Sequence, residues 1–141
     1  MGAARAAPAT GTITRNAGAT LNVLSTGTVT TTLTGLDSAS MVTGIIGPCA
    51  SYGSGTSTKY ATIDGSNNIV GLAGTAVVTA ANVTSTVGSL NYDVAAEGTL
   101  GTGANINTLR YTGAAGAIAG ALTTNGITNV GGGLLTFSRV V

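Results

Sequence analysis

Leu90-Asn91-Tyr92-Asp93-Val94 and, further on, Leu109-Arg110-Tyr111 carry apolar and polar side chains in alternation. Successive side chains of a strand point to opposite faces, so both segments read as strands with one apolar and one polar side. The same texture extends in both directions. Strand candidates are Thr12 to Thr14, Ala19 to Leu24, Thr28 to Leu33, Tyr60 to Ile63, Asn68 to Leu72, Ala76 to Ala80, Ser89 to Val94, Asn107 to Thr112, Ala117 to Leu122 and Gly133 to Phe137, with Gly, Asn and Ser between them. Helical periodicity is weak. Gly breaks the Ala-rich segments every few residues, at about 0.5–1 kcal/mol for each Gly inside a helix. The expected fold class is all-β.

Composition supports this. Charged residues are 6% of the 141, against roughly 25% in an average soluble domain. Hydrophobic residues still make up 43%, and Gly alone accounts for 23 positions, so the chain has enough apolar surface to fold. Thr, Val and Ile lose less side-chain freedom on a pleated surface than in a helix, and Gly and Asn supply tight corners. With no Trp and one Phe, a wide sandwich core is hard to fill, whereas the narrow lumen of a solenoid suits small and branched residues. The expectation is a parallel β-helix (β-solenoid) of about five to six short rungs, each of about 20 to 25 residues.

In that arrangement at least half the residues would lie in parallel strands, with few antiparallel hairpins. Leu21, Val23, Leu33, Ile63, Ile69, Leu90, Tyr92, Leu109, Leu122 and Phe137 are expected to face inward. Asn105, Asn107, Asn125 and Asn129 are candidates for side-chain ladders between rungs, the alternative being ordinary turn chemistry. Residues 1–11 read as a poorly structured leader or boundary, 12–138 as the repeat segment and 139–141 as a tail. Neither end shows a capping element, so self-association through open solenoid ends is expected.

Catalytic constellations are scarce. The chain has no His, which removes Ser-His-Asp and Cys-His arrangements and the commonest transition-metal ligand. Cys49, the single cysteine, has no base near it in sequence and reads as a small buried hydrophobe, with a dimerising thiol as the alternative. The acids are Asp37, Asp64, Asp93 and Glu97. Glycoside chemistry would need two carboxyls about 5 to 10 Å apart, which requires Asp64, Asp93 and Glu97 to converge in one groove. Asp64 reads instead as turn chemistry, and Asp93 as an outward residue of its strand. Calcium-binding nonapeptides are absent, and Gly101-Thr102-Gly103 and Gly131-Gly132-Gly133 read as turns rather than phosphate loops. Tyr52, Tyr60, Tyr92 and Tyr111 read as packing residues, with a sugar-stacking stripe as the alternative. No enzyme, metal or cofactor is expected. The five cations are scattered, which argues against nucleic acid as a partner, and the small-apolar window from Gly113 to Leu122 is too short to span a membrane as a helix.

Ile46-Gly47-Pro48-Cys49-Ala50, Tyr60-Ala61-Thr62-Ile63-Asp64-Gly65, Asn67-Asn68-Ile69-Val70-Gly71-Leu72, Asn107-Thr108-Leu109-Arg110-Tyr111-Thr112-Gly113 and Gly131-Gly132-Gly133-Leu134-Leu135-Thr136-Phe137-Ser138 resemble the autotransporter-associated β-strand repeat proteins, as does the Thr-rich stretch from Asn16 to Leu33. The chain departs from those proteins at Cys49, where they commonly carry Trp. The resemblance implies a right-handed parallel β-helix passenger segment that is extracellular or on the cell surface, within a parent chain anchored in the outer membrane. Rigidity without catalytic chemistry leads to the expectation of a structural or adhesive role, meeting surface polysaccharide or a host or abiotic surface. The alternatives are a self-assembling extracellular fibre subunit and a carbohydrate-active β-helix enzyme.

Overall fold

The structure is a computed structural model and describes residues 19–31 and 44–141. The candidate strand Thr12 to Thr14, the expected leader 1–11 and Leu33 lie outside the described residues. What is described is all-β, with 3-10 turns as its only helical elements among the described residues, and it divides into two compact units.

In the first unit, β1 (Leu21–Val23), β2 (Ala50–Tyr52), β3 (Lys59–Ile63) and β4 (Ile69–Gly71) form a four-stranded sheet in that order. β1 and β2 run parallel, but β2–β3 and β3–β4 are antiparallel. The local cause of the second reversal is the run Asp64-Gly65-Ser66-Asn67, which turns the chain within a few residues and places Asn67 at φ 59, a left-handed conformation that Asn tolerates. Ile45, Ala50, Tyr60, Ala61 and Ile63 are buried within this unit.

The second unit is a parallel β-solenoid of about four turns. Its strands are β5 (Thr75–Val77), β6 (Asn91–Val94), β7 (Gly98–Thr99), β8 (Ala104–Tyr111), β9 (Gly116–Asn129) and β10 (Leu135–Val140). All pairings among them are parallel. Thr75 pairs with Tyr92, Tyr92 with Leu109 and Leu109 with Ile127, a return after 17 or 18 positions, whereas Gly98 pairs with Ile118 and Ile118 with Phe137, a return after 20 and 19. Rungs are therefore at or just below the short end of the 20 to 25 residues expected, and number about four instead of five to six. Rung length is set by the number of residues needed to encircle a lumen of single Leu, Ile, Val and Tyr side chains. Rung number is reduced because Ala50–Gly71 pairs largely antiparallel instead of stacking, and the parallel strands hold less than half of the described residues.

The lumen contains Val83, Tyr92, Val94, Leu100, Ile106, Leu109, Tyr111, Ile118 and Leu122, with Val77, Ile127, Leu135 and Phe137 packed against them. Burying each large apolar side chain contributes about 1.5–3 kcal/mol. Of the ten residues expected inward, Ile63, Tyr92, Leu109 and Leu122 are buried, and Val23, Ile69 and Phe137 are half-buried. Leu21 and Leu90 are exposed, a correction with local causes: Leu21 lies on the edge strand of its sheet, and Leu90 precedes β6 in the turn that leads into it. β10 continues through Arg139 and Val140, opposite Ala121 and Leu122, where the sequence reads as a tail.

Two corners shape each rung. Along β8 the core residues are Ala104 and Ile106, then Leu109 and Tyr111. The inward parity switches between Ile106 and Leu109, and that switch marks the first corner. The second follows Tyr111, where rungs pack so closely that only glycine fits. A Cβ on Gly131 would fall on the carbonyl of Gly113, one on Gly113 on the carbonyl of Ala95, and one on Gly133 on the backbone of Ala115. Gly131-Gly132-Gly133 is thus a stacking corner as well as a turn. Gly131→Ala should destabilise the second unit by about 3 kcal/mol through backbone displacement, whereas Gly65→Ala, with nothing within 4 Å of its added Cβ, should change stability by less than about 1 kcal/mol. Urea denaturation followed by circular dichroism compares the two.

Candidate functional site

The polar groups with the most constrained geometry in the second unit are three asparagines at the first corner. The Asn107 side chain, 1% exposed, donates from Nδ2 to Asn91 Oδ1 at 2.8 Å. Asn125 Nδ2 donates in turn to Asn107 Oδ1 at 3.1 Å. Thr108 Oγ1 also donates to Asn91 Oδ1, at 2.7 Å, and Thr124 Oγ1 donates to the Asn107 carbonyl at 3.0 Å. An amide carries both donor and acceptor, so identical side chains one rung apart bond without any charge. A buried polar side chain without such partners costs about 1–3 kcal/mol.

Asn107 and Asn125, both ladder candidates from the sequence, belong to this column, and Asn91 is a third member that sequence reading missed. Its signal was present: Asn91 is 16 positions before Asn107, close to one rung. Asn105 and Asn129 are not in it. Asn105 stands against Gly88, where an added Cβ would come within 3.1 Å of its side-chain oxygen. Asn129 donates to the Gly133 carbonyl and accepts from the Gly131 N–H, which holds the glycine turn.

Asp64, Asp93 and Glu97 each have a local bonding role. Asp64 Oδ1 accepts from the Ser66 and Asn68 N–H groups, both at 2.9 Å, and Oδ2 accepts from Asn68 Nδ2. The backbone N–H of Asn68, followed by its side-chain amide, holds the Asp64 carboxyl below the usual aspartate value; slight burial opposes this and the Ser66 N–H adds to it. Asp93, on β6, lies one rung from Arg110 on β8, with 3.6 Å between Oδ2 and Nη1. Arg110, 8% exposed, also donates from Nη2 to the Thr56 carbonyl at 2.7 Å. Glu97 Oε2 accepts the Ala117 N–H at 3.1 Å. Asp93 and Glu97 belong to the second unit and Asp64 to the first; each is engaged by neighbours within its own unit.

Tyr60, Tyr92 and Tyr111 are buried and Tyr52 half-buried, which is packing rather than a sugar-stacking stripe. Cys49, read from the sequence as a small buried hydrophobe, is half-buried; its carbonyl accepts the Leu21 N–H. Among the described residues, no group of three or more His, Cys, Asp or Glu side chains converges as metal ligands would, and no helix is long and apolar enough to cross a membrane. Comparison with protein-family models, curated proteins and solved structures finds no match.

Two outcomes follow from these contacts. Asn107→Ala removes the middle of the column and should destabilise the second unit by about 2–3 kcal/mol, while Asn125→Ala, at its exposed end, should cost about 1 kcal/mol; chemical denaturation measures both. For Asp64, a folded pKa below the unfolded one means that its contribution is complete above the ordinary aspartate value and is lost as pH falls from about 4 through the folded value. The β3–β4 hairpin should therefore loosen on acidification in that window. Hydrogen exchange of the Asn68 amide measures this, and in Asp64→Asn the pH dependence should flatten.

Proposed function

We propose that this chain is a non-enzymatic structural and adhesive segment of a secreted bacterial surface protein, an autotransporter-like passenger whose parent is anchored in the outer membrane. The observation that supports it most is the bonding of the acids. Asp64, Asp93 and Glu97 each hold a turn, a neighbouring rung's arginine or a neighbouring rung's backbone. General acid–base work needs a carboxyl positioned to exchange a proton with substrate, and these are committed to the scaffold.

In this reading the solenoid serves as a rigid spacer. Its outward positions on β9 and on β10 as far as Ser138, among them Ala117, Ala121, Thr123, Thr136 and Ser138, are exposed, small and uncharged, and Arg139 adds one exposed charge beyond them. Such a face meets polysaccharide or a host or abiotic surface through many weak contacts, with little dependence on salt. Intact cells producing the parent protein should bind an antibody raised against residues 73–141 without permeabilisation. Labelling confined to permeabilised cells would overturn the surface assignment. Turnover of polysaccharide by the purified chain would overturn the non-enzymatic one.

A further inference from the structure

Asn125-Gly126 is the one Asn-Gly dipeptide in the sequence, and it lies in β9 at the point where Asn125 joins the amide column. An asparagine loses its side-chain amide when the nitrogen of the following peptide attacks Cγ, and the side chain of that following residue is what obstructs the approach. Glycine has none. Asn91 and Asn107, the other members of the column, are followed by Tyr92 and Thr108, and Asn129 by Val130, all with bulky or branched side chains in the way.

The fold ties down both reacting groups. Asn125 Nδ2, the leaving group, donates to Asn107 Oδ1 at 3.1 Å. The Gly126 N–H, whose nitrogen is the nucleophile, donates to Thr124 Oγ1 at 3.3 Å. Closure of the five-membered ring also requires the Asn125 ψ to turn well away from the parallel-strand value of about +115°. That rotation parts Gly126 from Thr108, its partner in β8. The reaction therefore proceeds from a state in which this corner of the rung has opened. All of these restraints lie within β8 and β9, so they hold whatever follows in the chain.

Loss of the amide reverses the polarity of the contact. The Asn125 amide donates to Asn107 Oδ1, whereas an ionised carboxylate can only accept, so the product sets oxygen against oxygen. For Asn107 to offer a donor instead, its amide must turn over, which brings its oxygen to the Asn91 oxygen that accepts from Asn107 Nδ2 and Thr108 Oγ1. The reversal has to pass through all three rungs. An isoaspartyl product adds a displacement, since it inserts one backbone carbon between Thr124 and Gly126, which pair with Ile106 and Thr108.

We propose that Asn125 is a site of spontaneous deamidation, gated by opening of the corner, whose product does not rejoin the amide column. The Gly126 nitrogen bonds to Asn125 Cγ, the Cγ–Nδ2 bond breaks, and the proton of the Gly126 nitrogen leaves with the amide as ammonia. Water then opens the resulting succinimide at one of its two carbonyls, giving aspartate or isoaspartate. Water is the sole co-reactant, and no electron is transferred. The modification is one-way, so the solenoid accumulates it in proportion to how often its corner has opened. The inference is independent of the adhesive role proposed above.

Incubation of the purified chain at physiological temperature and mildly alkaline pH, followed by peptide mass mapping, tests this against a synthetic peptide of residues 120–131. Conversion should appear first at Asn125, about ten- to hundredfold slower than in the peptide, because the hydrogen bonds of the corner must break beforehand. The same chain kept unfolded in urea should convert at the rate of the peptide. Asn125→Asp, which supplies the aspartyl product directly, should have a lower urea midpoint by circular dichroism than Asn125→Ala, since alanine only withdraws the donor while aspartate opposes Asn107 with an acceptor. Equal rates in folded chain and peptide, no conversion at Asn125 within the time that a hundredfold slowing allows, another asparagine converting first, or an Asn125→Asp midpoint at or above that of Asn125→Ala would each overturn the proposal.

Discussion

The amide of Asn107, held between those of Asn91 and Asn125, is the contact on which the solenoid's corner depends. Where β8 changes the face that points inward, the rungs cannot all keep apolar side chains toward the lumen, and a polar residue enters a site that water does not reach. An asparagine is stable there only if a matching amide lies one rung away on each side. That requirement fixes the stacking register of three rungs together, and every lumen column that follows inherits it: Val94 on Tyr111, Ala104 on Leu122. The glycine corner imposes the complementary restraint. At Gly113 and Gly131 rungs approach until a methyl group would meet the neighbouring carbonyl, so the corner without side chains sets the closest approach, and the corner with amides sets the register.

The first unit obeys different controls. Its sheet is directed by a turn short enough to reverse the chain in place: Asp64 gathers the N–H groups of Ser66 and Asn68 before the strand returns. Such a turn brings consecutive strands together antiparallel, whereas the second unit joins its strands through rung-length connections that return in the same direction. The two kinds of pairing therefore follow from turn length more than from strand composition, which is similar in both.

The absence of His removes histidine-based active sites, and the few charges are scattered along the sequence. The fold puts two of those charges to work across rungs, Asp93 on Arg110 and Glu97 on the Ala117 N–H. A charge placed between rungs acts as a staple between segments distant in sequence, a role that a residue's own neighbours in the chain do not reveal.

Alternation in Leu90–Val94 and Leu109–Tyr111, the abundance of β-branched residues and the shortage of large aromatics were enough to establish an all-β chain with a narrow parallel core, because side-chain period and side-chain volume are properties of the sequence. Asn107 and Asn125 were legible as ladder residues for the same reason, being polar groups at recurring corners. Rung length was not legible, since it depends on which columns close around the lumen, and with it went the third ladder member, Asn91, and the exposure of Leu90. Nor was the direction of β3 and β4, where turn geometry overrode a strand pattern like that of the solenoid. The contacts between rungs were decided by tertiary structure alone: residues 17 to 20 positions apart meet only after the chain has encircled a core that no single rung can form.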